Sequence, residues 1–193
     1  MRVLLVFCHP VEDSYQDALH RAARAALERA GHEVDDLDLY GKRFDPVLSR
    51  EEWLSYHDLE VNRRPVQAYV DRLLRAEALV FCFPVWAYGP PAMLKGFFDR
   101  VFIPGVSFSL QNGRIRPGLT RVTKIAAIVS YGQPRWLAWL AGDPPRKLIT
   151  RYLRLSTGRA TKVTYLAHYD MNLSTDATRR RFVARVEREM ARF

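Results

Sequence analysis

The sequence predicts an α/β fold: a three-layer sandwich whose five-stranded parallel sheet has the strand order 2-1-3-4-5 and carries helices on both faces. Short apolar runs alternate with segments of helical periodicity along the whole chain, which is the pattern of strand–helix–strand units with right-handed crossovers. The second predicted strand is the most polar, so we place it at a sheet edge. The chain has 193 residues and no repeats, so we expect one domain over residues 1–193.

Five segments are predicted strands. They are short, and the first, third and fourth are strongly apolar, as expected for strands buried on both faces of a parallel sheet, while the fifth is strand-like. The second, EVDDLDLY, is more polar and suits an edge. In chain order the predicted strands are residues 2–8, 33–40, 78–85, 122–131 and 161–169.

Helical segments connect these strands. Apolar side chains recur every three or four residues in the first helix, which Gly31 ends, and in the last, which Ser174 or Asp176 should cap. The polar connection over residues 41–64 is long for a loop, so we expect it to cover an interface. The remaining predicted helices are residues 51–57, 65–76, 91–102 and 145–156.

The composition argues against several classes of protein. Cys8 and Cys82 lack a C-x-x-C spacing and the five histidines are scattered, so we predict neither a disulfide framework nor a metal site, and interpret both cysteines as small buried residues. No apolar run approaches the roughly 18 residues of a membrane span. The N-terminal segment has no small-residue cleavage site, so we expect no secretory signal and a cytoplasmic location.

The net charge of +9 arises largely from arginines in the final helix. We interpret this charge as a solvated helical face. A nucleic-acid-binding protein would also be basic, but its basic side should carry interleaved aromatic residues, and this helix has none there. We therefore expect no nucleic-acid partner.

Three buried strands end in unusual residues, and these strand ends should lie close together. His9 and Ser14 follow the first strand, residues 84–88 complete the third, and residues 130–134 complete the fourth. In an open parallel sheet, ligands bind beyond the carboxyl ends of the strands, where the strand order reverses. The sequence therefore predicts a ligand site formed by three loops.

The first two loops suit an anionic ligand with a flat ring. Ser14 and the amides of Tyr15 and Gln16 should begin a helix, where free N–H groups and the helix dipole favour a phosphate; alternatively, Ser14 only caps the helix. Trp86 and Tyr88 could stack on a planar ring, or they could simply close the end of the sheet.

The third loop offers Ser130, Tyr131, Gly132 and Gln133. Backbone donors here could stabilise negative charge on a heteroaromatic ring; the alternative is an ordinary glycine–proline turn. The sequence has no G-x-x-x-x-G-K-[ST] motif, and no G-x-G-x-x-G follows the first strand. A nucleoside triphosphatase and a dinucleotide-binding Rossmann site are therefore disfavoured.

Two segments carry a family resemblance. FPVWAYGPPAMLKGFFDRVF at residues 83–102 and VFCHPVEDSYQDAL at residues 6–19 resemble signature segments of the flavodoxin-like NAD(P)H:quinone oxidoreductases. In that family the first segment lies against the isoalloxazine ring and the second holds the flavin phosphate. The resemblance extends over essentially the whole chain and implies a flavodoxin-like, flavin-binding domain.

The resemblance implies a cofactor contact in every loop. The flavin would carry out the redox chemistry itself, so the candidate catalytic residues, Tyr131 and Gly132, would act only by stabilising the reduced ring. No metal ligand is implied. The implied cofactor-binding residues are His9, Ser14, Tyr15 and Gln16 at the phosphate and ribityl groups, Pro84, Val85, Trp86, Ala87 and Tyr88 at the ring, and Ser130, Tyr131, Gly132 and Gln133 at the N1/O2 edge of the ring.

The implied activity is two-electron hydride transfer from NADH or NADPH, through N5 of FAD or FMN, to a quinone or a similar electrophilic acceptor. The resemblance also implies a homodimer with the flavin site at the subunit interface. The connection over residues 41–64 and the segment 136–142 (WLAWLAG) are the candidate partner contacts. The same apolar segment could make at most a peripheral contact with a membrane.

The chain departs from the family pattern at three places. Gln16 replaces the usual asparagine, SYGQ replaces a threonine-threonine-glycine-glycine loop, and Arg135 and Trp136 occupy the region where some members carry a tyrosine–histidine proton relay. The proton donor and the natural acceptor therefore stay open. The alternative function is a flavin-containing regulatory subunit of a cation-transport system, and a one-electron flavodoxin shuttle is disfavoured because such proteins are usually acidic.

Overall fold

The computed structural model describes residues 1–193. Five parallel strands form the central sheet in the order β2-β1-β3-β6-β7. Counted along the chain, this is the predicted order 2-1-3-4-5, with the polar second strand at one edge. The strands are β1 (Arg2–Phe7), β2 (Glu33–Asp38), β3 (Ala78–Val85), β4 (Phe108–Gln111), β5 (Arg114–Pro117), β6 (Lys124–Tyr131) and β7 (Lys162–His168).

Helices cover both faces of this sheet. No helix combines the length and the apolar character that a bilayer crossing requires. The α-helices are α1 (Tyr15–Arg29), α2 (Arg50–Leu54), α3 (Gln67–Arg75), α4 (Ala92–Val101), α5 (Arg135–Leu140), α6 (Pro144–Lys147), α7 (Leu153–Thr157) and α8 (Asp176–Met190). Single turns of 3₁₀-helix lie at Arg64–Val66 and Met171–Leu173, and a π-helical turn lies at Leu148–Tyr152.

The sheet separates two apolar cores. Successive residues of a strand point to opposite faces, so β1 sends Leu4 and Val6 into one core and Val3 and Leu5 into the other. The first core also contains α3 and α4 side chains, and the second contains those of α1 and α8. Cys8 and Cys82 are buried, as predicted, but they belong to opposite cores.

The long connection after β2 is fastened to α4. The Arg100 side chain is largely buried and pairs with Glu52 at 2.8 Å, and its guanidinium also donates to the carbonyl of Asp45. Gly96 lies so close to this connection that a β-carbon there would overlap the carbonyl oxygen of Pro46. The helix predicted at residues 51–57 is present as α2 (Arg50–Leu54).

Two local features differ from the predictions. Strands β4 and β5 form an antiparallel hairpin, which the sequence pattern did not identify, although its turn is Asn112-Gly113 with φ of 50° and 71°, a strong hairpin signal. The final helix is capped by Thr175 rather than by Ser174 or Asp176. Its hydroxyl accepts the amide of Thr178, and the Thr178 hydroxyl accepts the amide of Thr175, because each side chain satisfies an otherwise unpaired N–H.

The predicted helix over residues 145–156 is interrupted. The helical stretch consists of α6, the π-helical turn and α7. A π-helical turn inserts an extra residue into the helical hydrogen-bond ladder. The apolar periodicity of the sequence does not reveal such an insertion, so it indicated one continuous helix.

Candidate functional site

The three predicted loops converge at the carboxyl edge of the sheet. The ring centroids of His9 and Trp86 are 6.0 Å apart, which brings the first loop to the second. A cavity of about 340 Å³ connects the second loop to the third. Its lining residues are Val85, Trp86, Ala87, Tyr88, Tyr131, Gly132 and Gln133.

The first loop presents unpaired donors at the start of α1. Ser14 caps the helix, since its hydroxyl accepts the amide of Asp17 at 3.1 Å. The amides of Tyr15 and Gln16 have no acceptor within the chain. These donors and the positive end of the helix dipole suit a phosphate group.

His9 is held at the end of β1 by its own backbone turn. The amide of Val11 donates to Nδ1 of His9 at 3.1 Å. Nδ1 of His9 also lies 3.0 Å from the carbonyl oxygen of Val11, so the tautomer decides whether Nδ1 accepts from the amide or donates to the carbonyl. Both contacts fix the ring beside Trp86.

Gln16 points inward rather than toward the loop. Its side chain is 3% exposed, its amide nitrogen donates to the carbonyl of Ile128 at 3.1 Å, and its amide oxygen accepts the hydroxyl of Ser130 at 2.7 Å. A buried amide must satisfy its polar atoms within the protein. Gln16 and Ser130 are thus tied to each other, and Gln16 can offer a ligand only its backbone N–H.

Tyr15 pairs with a histidine that sequence reasoning did not place in the site. The Tyr15 hydroxyl lies 2.6 Å from Nδ1 of His168, and the His168 ring stacks on Phe182. Burial raises the pKa of Tyr15, and burial followed by the charge of Arg179 lowers the pKa of His168. In the sequence, only the predicted strand order indicates this pair, because it puts His168, at the end of β7, on the same edge of the sheet as the start of α1.

The second loop is a tight turn with an unusual backbone. Trp86 and Gly89 exchange two backbone hydrogen bonds of 3.0 and 2.8 Å, and the two central residues, Ala87 and Tyr88, have φ of 47° and 56°. Positive φ at both central positions is the geometry of a type I′ turn, which favours glycine and asparagine. Each non-glycine residue here costs roughly 1–2 kcal/mol.

This turn leaves both donors and rings available. The amides of Ala87 and Tyr88 have no acceptor within the chain. The side chains of Trp86 and Tyr88 are 43% and 36% exposed. Both residues are therefore open enough to contact a ligand. Pro84, just before the turn, is buried in β3 opposite Ser130.

The third loop hides its aromatic side chain. Tyr131 is 2% exposed, its hydroxyl donates to Oδ1 of Asp143 at 2.6 Å and lies 2.5 Å from the hydroxyl of Tyr165. Burial, and then the neighbouring Tyr165, raise the pKa of Tyr131. Its phenol is therefore not free to contact a ligand, and Tyr131 lines the cavity without offering this donor.

The backbone of the third loop keeps its donors free. The amides of Gly132 and Gln133 have no acceptor within the chain, whereas their carbonyls accept the amides of Asn172 and Asp170. The carbonyls thus anchor the loop and the N–H groups are left for a ligand. The site thus has free amides at the start of α1 and further free amides in the second and third loops, beside exposed aromatic rings. The first set fits the phosphate of a flavin, and the second set fits its ring. No cluster of three metal-ligating side chains occurs in the structure.

Comparison with known proteins is consistent with this architecture. The model of a protein family described as "Flavodoxin-like fold" matches residues 1–189. A solved NAD(P)H:quinone oxidoreductase from Methanothermobacter marburgensis superposes with a TM-score of 0.82 and 28% identity, and the superposition covers 99% of this chain and 96% of the other.

Two curated relatives align over part of their lengths. An uncharacterised NAD(P)H oxidoreductase, YcaK, of Escherichia coli K12 is 33% identical over 147 residues, which are 74% of this chain and 65% of the relative. NAD(P)H dehydrogenase [quinone] 1 of Cavia porcellus is 35% identical over 124 residues, or 56% of this chain and 45% of the relative. The match therefore spans about half to two thirds of the length of these two curated relatives.

Proposed function

Because this chain belongs to the protein family with the flavodoxin-like fold, we propose that it is a flavin-dependent NAD(P)H:quinone oxidoreductase. In this proposal, residues 1–193 form one flavin-binding domain. The observation that carries it is the cavity with exposed aromatic rings that the second and third loops line with free backbone amides, together with the first loop, whose His9 ring lies 6.0 Å from that of Trp86. The names of the compared quinone oxidoreductases support the same activity.

The overall reaction transfers two electrons. NAD(P)H gives up a hydride, the quinone receives that hydride and one proton, and the products are NAD(P)⁺ and the hydroquinone. Bound FAD or FMN would accept the hydride at N5 and pass it on. The chain itself then has to bind and orient the cofactor, and to leave one face of its ring open for donor and acceptor in turn.

Each loop has a separate task in this proposal. The amides of Tyr15 and Gln16 bind the flavin phosphate at the start of α1. The amides of Ala87 and Tyr88 orient the ring, while Trp86 contacts it through its aromatic face. The amide of Gly132, with that of its neighbour, stabilises negative charge on the reduced ring.

A spectroscopic and kinetic experiment tests the function. The purified protein is incubated with FMN or with FAD, and after desalting we expect retained flavin absorbance and flavin-dependent oxidation of NADH or NADPH with a soluble quinone. Trp86→Ala should weaken flavin retention, whereas Leu110→Ala, at an exposed position of the β4–β5 hairpin outside the cavity, is the control. A protein that retains neither flavin would contradict the proposal.

We also propose that the protein works as a homodimer with the flavin site at the interface. The support is the set of large apolar side chains left exposed on α5, the helix that follows the third loop: Trp136, Trp139 and Leu140. Sedimentation velocity with and without flavin should give the mass of two chains, and Trp139→Glu should shift the protein toward the monomer. A monomer at all concentrations would contradict this part.

One observation favours the second candidate, a flavin-containing regulatory subunit of a cation-transport system. Arg181, Arg185 and Arg188 line a groove beside β7 and form no ion pair with a carboxylate. Unpaired guanidinium groups would suit an acidic partner. Rapid flavin-dependent quinone turnover by the isolated protein favours the enzyme, and flavin binding with negligible turnover favours the regulatory subunit.

A further inference from the structure

The segment from Gly132 to Gly142, which we call the strap, leaves the sheet and returns to nearly the same place. It starts at the cavity, where Gly132 and Gln133 are lining residues, and it contains α5. Its far end is followed by Asp143, whose carboxylate accepts the hydroxyl of Tyr131 at 2.6 Å. Since Tyr131 immediately precedes the strap, one side-chain hydrogen bond joins the two ends of the segment, as in a compact surface loop.

Asp143 adopts a special backbone conformation at this join. Gly142 and Asp143 have φ of 81° and 44° in succession, which reverses the chain at the end of α5. Asp143 precedes α6, where an aspartate normally caps the helix, yet its side chain makes no capping hydrogen bond. The carboxylate instead accepts the hydroxyl of Tyr131, so the local capping interaction has been replaced by a tertiary one.

The join is partly buried and reinforced. Tyr131 is 2% exposed, and its hydroxyl lies 2.5 Å from that of Tyr165. Because Tyr131 donates its proton to Asp143, Tyr165 must donate to Tyr131, which gives the chain Tyr165 to Tyr131 to Asp143. Tyr169 packs on the same ring with centroids 4.5 Å apart. A hydrogen bond with a charged acceptor is among the stronger ones, and this one is partly shielded from water.

The rest of the strap is weakly anchored. Ala138 is fully buried, but Trp136 and Trp139 are 64% and 77% exposed. Within a single chain the strap therefore has few buried contacts of its own and depends on its two ends for its position; in the proposed dimer a partner chain would cover Trp136 and Trp139 without replacing the contact between the two ends.

We propose that Tyr131 and Asp143 are positioning residues that hold the strap in place beside the ring-binding cavity and thereby set the opening through which the acceptor enters. This inference rests on the proposed function for the identity of the acceptor, but the structural part can be tested without it. Tyr131 then shapes the pocket and does not contact the flavin with its side chain.

The test compares hydrogen exchange in the wild type and three variants of the full-length protein. In Tyr131→Phe we expect the amides of residues 137–143 to exchange about 10-fold faster, because the partly buried hydrogen bond that closes the segment is lost. Tyr169→Phe removes a hydroxyl that takes no part in the hydrogen bonds from Tyr165 through Tyr131 to Asp143. Its exchange rates should stay within about twofold of those of the wild type. Asp143→Asn keeps an acceptor oxygen and tolerates positive φ, so it should retain most of the protection.

Proteolysis supplies an internal control. Trypsin should cleave Tyr131→Phe after Arg135, in the strap, about 10-fold faster than the wild type, whereas cleavage after Arg114 in the β4–β5 hairpin should be unchanged. Equal acceleration at both sites would show general destabilisation and would overturn the proposal, as would wild-type exchange and cleavage of the strap in Tyr131→Phe.

Kinetics connect the strap to the acceptor. In Tyr131→Phe the KM for a soluble quinone should rise about fivefold with little change in kcat, as expected when only binding geometry is disturbed. An unchanged KM alongside a loosened strap would overturn the link to the acceptor. A wild type that is inactive with flavin and quinone would contradict the proposed function, and the exchange data would still decide whether the positioning residues hold the strap.

Discussion

The second and third loops end neighbouring strands of the same sheet, and both contain a tyrosine, but they use it in opposite ways. In the loop after β3, Tyr88 is exposed on a strained type I′ turn. In the loop after β6, Tyr131 is buried and hydrogen-bonded to Asp143. In the loop after β3, a strained backbone exposes the aromatic side chains. In the loop after β6, a buried aromatic side chain holds the backbone in place. An aromatic residue at a strand end can contact a ligand or support the residues that do.

The largest expected effect is on stability. Tyr131→Ala removes a buried aromatic side chain and leaves Asp143 unpaired, so it should lower the free energy of unfolding by about 3–5 kcal/mol. Tyr88→Ala, at the exposed position, should change it by no more than about 0.5 kcal/mol. Guanidinium unfolding of the flavin-free protein measures both, and similar losses would break the comparison between the loops.

Alkaline pH should reveal the buried phenol of the third loop. The pKa of Tyr131 is raised from an ordinary value of 10.0, mainly by burial. Its contribution to stability is therefore complete below about pH 10 and is lost as pH rises above it, by up to about 1.4 kcal/mol per pH unit, because only the unfolded chain ionises there. The slope of unfolding free energy against pH above this value should be shallower in Tyr131→Phe; a slope as steep as in the wild type would contradict this assignment.

Flavin affinity should depend on the second loop more than on the phenol of the third. Trp86→Ala should weaken binding of FMN or FAD about 10-fold, which corresponds to roughly 1.4 kcal/mol and to the loss of one aromatic contact. Tyr131→Phe should change flavin affinity by less than about threefold, since its hydroxyl faces Asp143. Fluorescence titration of flavin measures both dissociation constants, and the reverse ranking would contradict the roles given to the two loops.

The smallest expected effect comes from the backbone of the second loop. Ala87 has φ of 47°, so Ala87→Gly relieves strain, although glycine also increases the entropy of the unfolded chain. We expect a net gain of about 0.5 kcal/mol. Ala25→Gly, within α1, is the matched control and should lose about 1 kcal/mol. Thermal unfolding distinguishes the two, and a loss at position 87 would show that the turn is not strained.

The sheet and the position of the site followed from local sequence patterns. Apolar runs and helical periodicity identified the strands, and the polar second strand, with the few orders that doubly wound sheets adopt, indicated the strand order. That order brought His9, Trp86 and Gly132 to one edge. The β4–β5 hairpin could have been predicted as well, because Asn112-Gly113 is a characteristic turn sequence. It was missed because each of its strands has only four residues, too short for the alternation of apolar and polar side chains to stand out from the surrounding loop.

The orientation of individual side chains could not be predicted. Nothing near Gln16 in the sequence shows that its amide is satisfied by Ile128 and Ser130. In the same way, Tyr131 turns inward because Asp143 and Tyr165 meet there, and that meeting depends on packing between elements distant along the chain. Site residues inferred from a loop's composition therefore divide, once the fold forms, into those that present their side chain and those that present only an amide.

The close contact between Gly96 and Pro46 has a practical consequence for anyone who mutates this gene at random. Any larger residue at 96 would push the connection after β2 away from α4 and disturb the Arg100 attachment as well. In a saturation library screened for soluble product, codon 96 should therefore tolerate almost no replacement, although it lies in a helix where glycine is ordinarily the residue easiest to improve.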